Sequence, residues 1–389
     1  MTTLQLPPLS LYVHVPWCLR KCPYCDFNSH ALAGALPEVR YVDALLADLE
    51  AELPQVWGRR LDSLFIGGGT PSLLSAAAVD RLLSGIRARL PLRPDAEVTL
   101  EANPGAVEQG RFEGYREAGV NRLSIGVQSF DDTLLARIGR VHSADEARRA
   151  AQAARAAGFD NFNLDLMYGL PGQTPAQSLA DLERAVALAP PHLSRYQLTL
   201  EPNTLFHARP PALPEDDDLW RMHEEGADAL AAHGYTQYEV SAWARPGGCC
   251  RHNLNYWQFG DYLGIGAGAH GKLSLPAEGR ILRYAKPRDP ERYAAAALAG
   301  AARTQQREVG PAERAFELML NGLRLVEGID LALCEAHAGV TAAMLEPGLG
   351  EAQARDLLRL EDGRLVPTAL GRRFLNDLLA LFLPDEGGG

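Results

Sequence analysis

The chain has 389 residues, of which 47% are hydrophobic and 22% are charged, and its formal net charge at pH 7 is −11. These proportions are ordinary for a globular protein, and the length allows two or three domains of about 150 residues each. The negative charge, with no basic run along the chain, argues against a general nucleic-acid binder.

The N-terminus has no basic stretch followed by an apolar core, so no signal peptide is predicted. The most apolar run, 293–302, is too short to cross a bilayer, which takes about 20 residues. A cytoplasmic, soluble protein is expected. Three of the six cysteines lie within eight residues, which in a reducing compartment indicates metal ligation rather than disulfides.

Strand-like and helix-like segments alternate through the first half of the chain. The predicted strands are 11–15, 61–66, 97–100, 122–127, 161–167 and 193–200, and the predicted helices include 41–53, 76–90, 107–118, 175–188 and 216–233. Six such units predict an α/β fold with a parallel sheet covered by helices. Periodicity leaves open whether the sheet is doubly wound, a full barrel or an incomplete barrel. In each case the loops after the strands carry the chemistry.

The pattern changes in the second half. Residues 235–283 are rich in predicted β-structure and loops, and 287–306 resemble a helical connector. From Gly310 onward, helices and one hairpin with an Asp362-Gly363 turn indicate a small helical, winged-helix-like domain. The predicted domains are therefore 1–210, 211–305 and 306–389. The tail 384–389 is expected to be disordered.

Cys18, Cys22 and Cys25 place three thiols in one predicted loop. Cysteine thiolates hold iron–sulfur clusters, and three ligands leave one iron of a four-iron cluster open. That iron can chelate the amino and carboxylate groups of S-adenosylmethionine (SAM). Structural zinc is an alternative, with His14 or His30 as a fourth ligand, and a chance trio of buried cysteines is another.

Polar or glycine residues follow several predicted strands. The run Gly67–Gly69 leaves the second strand and would let a ligand approach the backbone closely. It lacks the Gly-Lys-Ser/Thr of a nucleotide-binding P-loop. Glu101, Gln128 and Asp165 stand at the ends of later strands. Each, taken singly, is more often a capping, surface or network residue.

Several motifs together resemble the radical SAM superfamily, and more narrowly the group of oxygen-independent coproporphyrinogen III oxidases and HemW-type haem chaperones. They keep their order over most of the chain: 11–27 with the three cysteines, 67–72, 101–104, 126–130, 138–142, 163–172, 252–257 and 264–270.

The resemblance implies an incomplete (β/α)6 radical SAM barrel with a β-rich extension and the helical C-terminal domain. It implies a [4Fe-4S] cluster on the three cysteines. It also implies that SAM is contacted by Tyr12, Tyr24, Gly68, Gly69, Thr70, Glu101, Gln128, Arg140 and Asp165, the last three lining a second SAM site. No catalytic side chain is assigned.

Two positions separate the relatives within this group. The oxidases carry a fourth cysteine two residues after the third, where this chain has Phe27. This departure favours the chaperones. The resemblance further implies that the motif 252–257 binds haem through His252, Asn253, Tyr256 and Trp257. The alternative is a hydrogen-bonded core histidine beside ordinary packed aromatic residues.

The sequence therefore predicts a haem chaperone that binds a [4Fe-4S] cluster, SAM and haem. The resemblance suggests membrane respiratory proteins as haem acceptors. Coproporphyrinogen dehydrogenase activity is not expected, and a homodimer is left open. The alternatives are a coproporphyrinogen III oxidase and, from another class, a zinc-stabilised α/β binding protein.

Overall fold

The computed structural model describes residues 4–105 and 109–384. In chain order its strands are β1 (Leu9–Val15), β2 (Trp17–Cys18), β3 (His30–Ala31), β4 (Leu61–Gly68), β5 (Leu92–Ala102), β6 (Arg122–Gln128), β7 (Phe162–Tyr168), β8 (His192–Gln197), β9 (Thr236–Glu239), β10 (Ala242–Ala244), β11 (Asp261–Ile265), β12 (His270–Leu275), β13 (Arg280–Ala285), β14 (Gln305–Glu308), β15 (Ile329–Asp330), β16 (Leu358–Glu361) and β17 (Arg364–Pro367).

The described α-helices, numbered in chain order, surround these strands. They are α1 (Glu38–Glu52), α2 (Ala76–Arg89), α3 (Phe112–Ala118), α4 (Asp132–Arg137), α5 (Ala144–Ala156), α6 (Pro175–Ala187), α7 (Leu205–Ala208), α8 (Asp216–Ala232), α9 (Arg251–Trp257), α10 (Pro290–Leu298), α11 (Pro311–Gly322), α12 (Leu331–Ala338), α13 (Gly348–Ala354), α14 (Ala369–Arg373) and α15 (Leu375–Ala380).

Six parallel strands form the centre of the fold, in the order β1-β4-β5-β6-β7-β8. The order of these strands in the sheet is the same as their order in the chain. This is the order expected when each successive right-handed βα unit adds its strand to the same side of the growing sheet. This arrangement confirms the predicted radical SAM-type α/β fold. All six predicted strands are present.

Helix ends carry the local signals that their sequences predict. Ser143 and Thr174 begin α5 and α6 with capping boxes, in which Glu146 and Gln177 bond back to the cap. The predicted helix 107–118 is found at Phe112–Ala118, and it ends at Gly119, whose φ of 104° suits glycine. Positions 107 and 108 lie outside the described residues, as does the predicted disordered tail from 385 onward.

The sheet continues on both sides of the six central strands. On one side, β11 lies parallel to β1, followed by the antiparallel strands β12, β13 and β14. On the other side, β10 and β9 follow β8. The β-rich extension therefore belongs to the same twelve-stranded sheet as the barrel strands, a pairing that the sequence did not predict.

The C-terminal helices and the three-stranded sheet β15-β17-β16 enclose a second hydrophobic core. The predicted hairpin is β16 and β17, and its turn residues Asp362 and Gly363 have φ values of 47° and 78°. Both values are positive, as a two-residue hairpin turn of this type requires. The winged-helix-like prediction is thus matched by helices packed on a small sheet.

Among the described residues, the helices include none with the length and apolar character needed to span a membrane.

Candidate functional site

Three neighbouring cavities lie along the barrel strands: two border the carboxyl ends of the strands, and the third reaches residues at their amino ends. The cysteine cavity, about 440 Å³, is bordered by Cys18, Cys22 and Cys25. The barrel cavity, about 240 Å³, lies among the strands and reaches His252. The outer cleft, about 1140 Å³, lies between the barrel and the extension and reaches His270. Ligands of open parallel sheets bind at the carboxyl ends of the strands, which the cysteine cavity and the outer cleft border.

The cysteine loop is fastened to the sheet by backbone hydrogen bonds. Strand β2, which contains Cys18, pairs with β3, and the N–H groups of Gly69 and Thr70 donate to Val15 and Trp17 at 2.7 Å. A Cβ atom at Gly69 would lie 2.6 Å from the Trp17 carbonyl oxygen. The glycine therefore lets the strand end and the cysteine loop approach each other, in addition to bordering the cavity.

The three thiols face polar groups that suit a bound cluster. The Arg140 guanidinium lies 3.8 Å from Cys22 Sγ, and Ser29 Oγ lies 3.9 Å from Cys25 Sγ. Burial raises the pKa of the Cys18 thiol, and that of Cys25 for the same reason. Such thiols are protonated unless a cation favours the thiolate, and a metal centre does so. In the described part of the chain no three His, Cys, Asp or Glu side chains surround a single-ion site.

Two buried polar atoms in the wall of the cysteine cavity have no hydrogen-bond partner among the residues that the structure describes. They are Gln128 Oε1 and Arg140 Nε. Gln128 has a φ of 67°, unusual for a residue other than glycine, and the β6–β7 register shifts between Gly126 and Gln128. Bulges and unpaired buried groups concentrate at functional sites. One unpaired acceptor, one unpaired donor and the volume of the cavity therefore fit a polar ligand beside the thiols.

Glu101 joins the cysteine cavity to the glycine run. Its Oε2 accepts a hydrogen bond from the Gly68 N–H at 3.0 Å. Burial, and secondarily the nearby Asp165, raise the pKa of Glu101 to about 8. No ion pair holds the Glu101 carboxylate among the described residues. A carboxyl group in this state suits a ligand that brings donors and positive charge.

The other predicted SAM residues divide between cavities. Asp165 accepts hydrogen bonds from Ser124 at 3.1 Å and Asn163 at 2.8 Å, and it borders both the cysteine cavity and the barrel cavity. Tyr24 borders the cysteine cavity. Tyr12 does not, because it faces the barrel cavity and the outer cleft, where its hydroxyl bonds His14 Nδ1 at 3.0 Å.

The four predicted haem residues all lie on helix α9 but do not share one surface. His252 is 1% exposed, with Nδ1 2.9 Å from Ser63 Oγ and Nε2 2.9 Å from Tyr256 Oη. Asn253 borders the barrel cavity, whereas Tyr256 borders that cavity and the outer cleft. Trp257 packs beneath the Arg324 guanidinium at 4.3 Å, toward the C-terminal domain.

Asn103 and Tyr196 border the cysteine cavity and were not singled out from the sequence. Asn103 accepts from Arg140 at 2.8 Å and donates to Thr70 Oγ1 at 3.2 Å, so it positions two predicted ligand contacts. Tyr196 lies near the end of β8, where burial, and secondarily the nearby Asp165, raise the pKa of its hydroxyl. Both are polar residues at strand ends, which is the signal that could have identified them.

Two family models match the chain. Residues 12–185 match the Radical SAM superfamily, and residues 309–374 match the HemN C-terminal domain. Among solved structures, "Coproporphyrinogen III oxidase (HemN) from Escherichia coli is a Radical SAM enzyme" aligns with a TM-score of 0.82 at 25% identity. That alignment covers 97% of this chain and 90% of the other.

Curated relatives extend the match to the full length. Heme chaperone HemW of Escherichia coli (strain K12) is 53% identical, and that of Haemophilus influenzae is 47% identical, over 98% of this chain and 100% of each relative. Heme chaperone HemW of Mycobacterium tuberculosis is 38% identical over 95% of both chains. The chain therefore belongs to the radical SAM superfamily and, within it, to the HemW family. Membership of the superfamily implies a [4Fe-4S] cluster and SAM.

Proposed function

We propose that this protein is a haem chaperone, which binds haem and delivers it to acceptor proteins of the respiratory membrane. The observation that carries the proposal is the 53% identity, over 98% of this chain, to the Heme chaperone HemW of Escherichia coli. Phe27 supports it, because by resemblance the oxidases have a cysteine at this position. Phe27 is 58% exposed and borders both the cysteine cavity and the outer cleft.

In this proposal the cysteine cavity holds the cluster and SAM. Cys18, Cys22 and Cys25 are the cluster ligands, and Arg140 faces the Cys22 sulfur and offsets thiolate charge. When bound, the cluster supplies one-electron transfer to the SAM sulfonium. The chain orients SAM through the glycine run and through Glu101, whose carboxyl accepts hydrogen bonds from ligand donors.

Polar residues further along the strands extend the proposed SAM contacts. The unpaired Gln128 amide oxygen accepts a ligand N–H or O–H, and Asp165 accepts from a pair of hydroxyl groups. Tyr24 packs beside the ligand in the same cavity. Tyr12 lines the barrel cavity and the outer cleft together with Glu101.

The haem residues of the proposal come from helix α9. Tyr256 presents its ring to the outer cleft, while His252 holds the Tyr256 hydroxyl in place. Asn253 and Trp257 support the helix on its two other sides, toward the barrel cavity and Arg324. The motif 252–257 therefore acts as a unit in which Tyr256 is the residue nearest the haem.

The test is haem transfer by the anaerobically reconstituted protein. Protein loaded with one haem is mixed with a haem-free respiratory acceptor, and haem on the acceptor is measured by its absorption and by recovered activity. We expect faster or more complete transfer than from free haem at the same concentration. Equal transfer in the two arms contradicts the chaperone proposal.

A second assay separates the proposal from the oxidase to which the fold is similar. Reconstituted protein, SAM and a reductant are incubated anaerobically with coproporphyrinogen III, and the porphyrinogens are analysed after oxidation to porphyrins. We expect the substrate to persist, because Phe27 replaces the fourth cysteine. Catalytic formation of protoporphyrinogen IX supports the oxidase instead.

A further inference from the structure

The outer cleft is large enough for a porphyrin, whereas the cavity beside His252 is small. Pockets for drug-sized ligands measure about 300–1,000 Å³, and a porphyrin belongs at the upper end of that range. The outer cleft measures about 1140 Å³ and the barrel cavity about 240 Å³. A haem plane therefore fits between the barrel and the extension, but not inside the barrel.

The two histidines differ in the availability of their ring nitrogens. Both nitrogens of His252 are within 2.9 Å of a hydroxyl oxygen, of Ser63 and of Tyr256, and the residue is buried. His270 begins β12, is exposed and borders the outer cleft. Among the described residues, no hydrogen bond or ion pair to the His270 ring is present. His270 can therefore bind a metal without losing an existing contact.

The glycine-rich segment before His270 explains how the imidazole reaches the cleft. A Cβ atom at Gly266 would lie 2.4 Å from the His14 carbonyl oxygen, and the Gly266 φ is 105°. The N–H groups of Gly266 and Ala267 donate to the hydroxyls of Tyr293 and Tyr41, each at 2.9 Å. This close packing against β1 fixes the start of β12 beside the barrel mouth.

The cleft also offers positive charge that is not neutralised by the protein. Arg288 and Arg292 border the cleft, and no ion pair to either is found in the described residues. The third cation, Lys286, is paired with Asp48 and Glu52 at 2.5 and 2.7 Å.

Two acids face the same space. Asp289 caps helix α10 by accepting the Arg292 backbone N–H at 2.8 Å, and Glu101 lies at the floor with a raised pKa. Among the described residues, neither acid forms an ion pair with Arg288 or Arg292, so the two arginines remain available to the carboxylates of a ligand.

We propose that the outer cleft is the haem site, with the imidazole of His270 as an iron ligand and Arg288 and Arg292 paired with the propionates. Guanidinium groups bind carboxylates in a bidentate manner, and histidine is a common axial ligand of haem iron. Tyr256 and Tyr262, whose rings lie 4.7 Å apart, form an aromatic wall of the cleft. The inference rests on the proposed function, since it names the place where that haem is held.

Local electrostatics favour the form of His270 that coordinates iron. Burial, together with the positive charges of Arg283 and Arg288, lowers the pKa of His270. This direction favours the neutral imidazole, which is the form that binds metals. His252 is a positioning residue in this arrangement, because it acts on the haem only through Tyr256.

The test is an anaerobic haem titration of the reconstituted full-length protein, followed by difference absorption and electron paramagnetic resonance of the ferric haem. We expect His270→Ala to weaken haem binding about tenfold or more and to lose the histidine-ligated signature. Added imidazole should restore that signature. His233→Ala, at an exposed histidine after helix α8, is the matched control and should bind haem as the wild type does. His252→Gln, which retains a hydrogen-bonding side chain, should keep the histidine-ligated signature.

The propionate pairing has its own readout. Arg288→Gln and Arg292→Gln should each weaken haem binding about tenfold, yet leave the binding of the haem dimethyl ester unchanged, because the ester has no propionate charge. The control is Arg221→Gln, at an exposed arginine on helix α8.

The outcomes separate this inference from the proposed function. A wild-type protein that binds no haem contradicts the chaperone proposal. Wild-type binding together with an unchanged titration and spectrum for His270→Ala overturns only the cleft assignment. Loss of the histidine signature in His252→Gln, with retention in His270→Ala, assigns the iron to His252 instead. Cluster content, measured as iron and sulfide, verifies that each variant is folded.

Discussion

At the scale of single residues, several polar groups of the proposed SAM site lack a full set of hydrogen-bond or charge partners within the described protein. Glu101 carries a raised pKa, and within the described part of the chain Gln128 and Arg140 each have a buried atom without a hydrogen-bond partner. Unpaired buried polar groups reduce stability, so their presence around one cavity indicates that a ligand completes them.

Glu101 gives a pH-dependent prediction for SAM binding. With a pKa of about 8, the Glu101 carboxyl holds its proton at pH 7. The unfolded chain loses this proton from about pH 4.5 upward, so the fold loses stability as the pH rises from 4.5 to about 8. The positive sulfonium of SAM favours the carboxylate, so binding should release a proton from Glu101 at pH 7. Calorimetry in buffers of different ionisation enthalpy measures this proton.

Variants of two acids of the same cavity decide whether Glu101 is the group that releases the proton. Glu101→Gln should lower the number of protons released on SAM binding, whereas Glu201→Gln, which also borders the cavity, should leave it unchanged. Equal proton release from the wild type and Glu101→Gln rules out this role for Glu101.

The cluster ligands give a second prediction at this scale. Cys22→Ala should abolish the iron and acid-labile sulfide of anaerobically reconstituted protein, because two thiolates remain of the three ligands. Cys249→Ala, at a half-buried cysteine outside the cavity, should retain both. Full iron and sulfide content in Cys22→Ala contradicts the ligand assignment.

At the scale of elements, a buried ionic network joins the extension to helix α1. Lys286, after strand β13, bonds Asp48 and Glu52, and the Tyr293 hydroxyl donates to Asp48 at 2.9 Å. Arg303 adds a further ion pair with Glu52. Because Lys286 also borders the outer cleft, this network fixes one wall of the proposed haem site.

Removing the cation from this network should be costly. Lys286→Met leaves Asp48 buried without its cation, and breaking a buried pair in this way costs about 3–5 kcal/mol. Arg40→Met is the matched control, because the exposed Arg40–Glu291 pair also joins helix α1 to the extension and is worth about 0–1 kcal/mol. Urea unfolding measures both free energies. Equal losses of unfolding free energy in the two variants would show that the Lys286 network adds little to the stability of the protein.

The same elements show what sequence patterns can and cannot predict. The six central strands were predicted because each combines β-forming residues with a polar or glycine end. The pairing of β11 with β1 joins residues about 250 positions apart, and no local pattern encodes it. The same limit applies to His252. The sequence could not decide between a haem ligand and a hydrogen-bonded core histidine, because the partner Ser63 lies 189 residues away along the chain. Local patterns therefore predicted elements and strand-end residues, but not side-chain partners across the sheet.

At the scale of the whole molecule, the C-terminal core continues into the rest of the protein. Leu4, Phe259 and Ile281 belong to the same buried cluster as Leu318 and Met319 of helix α11. Backbone hydrogen bonds from Val240 to Arg324 and from Val326 to Tyr238 join the two regions at 3.1 Å. The C-terminal helices thus cover apolar surface of the extension.

Truncation after residue 308 should therefore expose Phe259 and Ile281, which are 1% and 0% exposed in the full chain. We expect increased binding of a hydrophobic dye and a lower thermal midpoint, because buried apolar area contributes about 25 cal/mol per Å². Leu320→Ser, at a leucine that is 44% exposed on α11, is the control and should change neither quantity. A truncated chain with wild-type dye binding and thermal midpoint would refute this dependence.

The position of Phe27 has a consequence for how the two proposed ligands affect each other. One ring borders both the cysteine cavity and the outer cleft, so a ligand that displaces it on one side reshapes the other. Thermodynamic reciprocity then requires that SAM change haem affinity by the same factor by which haem changes SAM affinity. Paired titrations of the wild type and Phe27→Ala measure this factor. We expect the factor to fall toward one in Phe27→Ala, because the ring is then missing from the wall that the two cavities share. A factor that is unchanged in Phe27→Ala would remove the ring from that role.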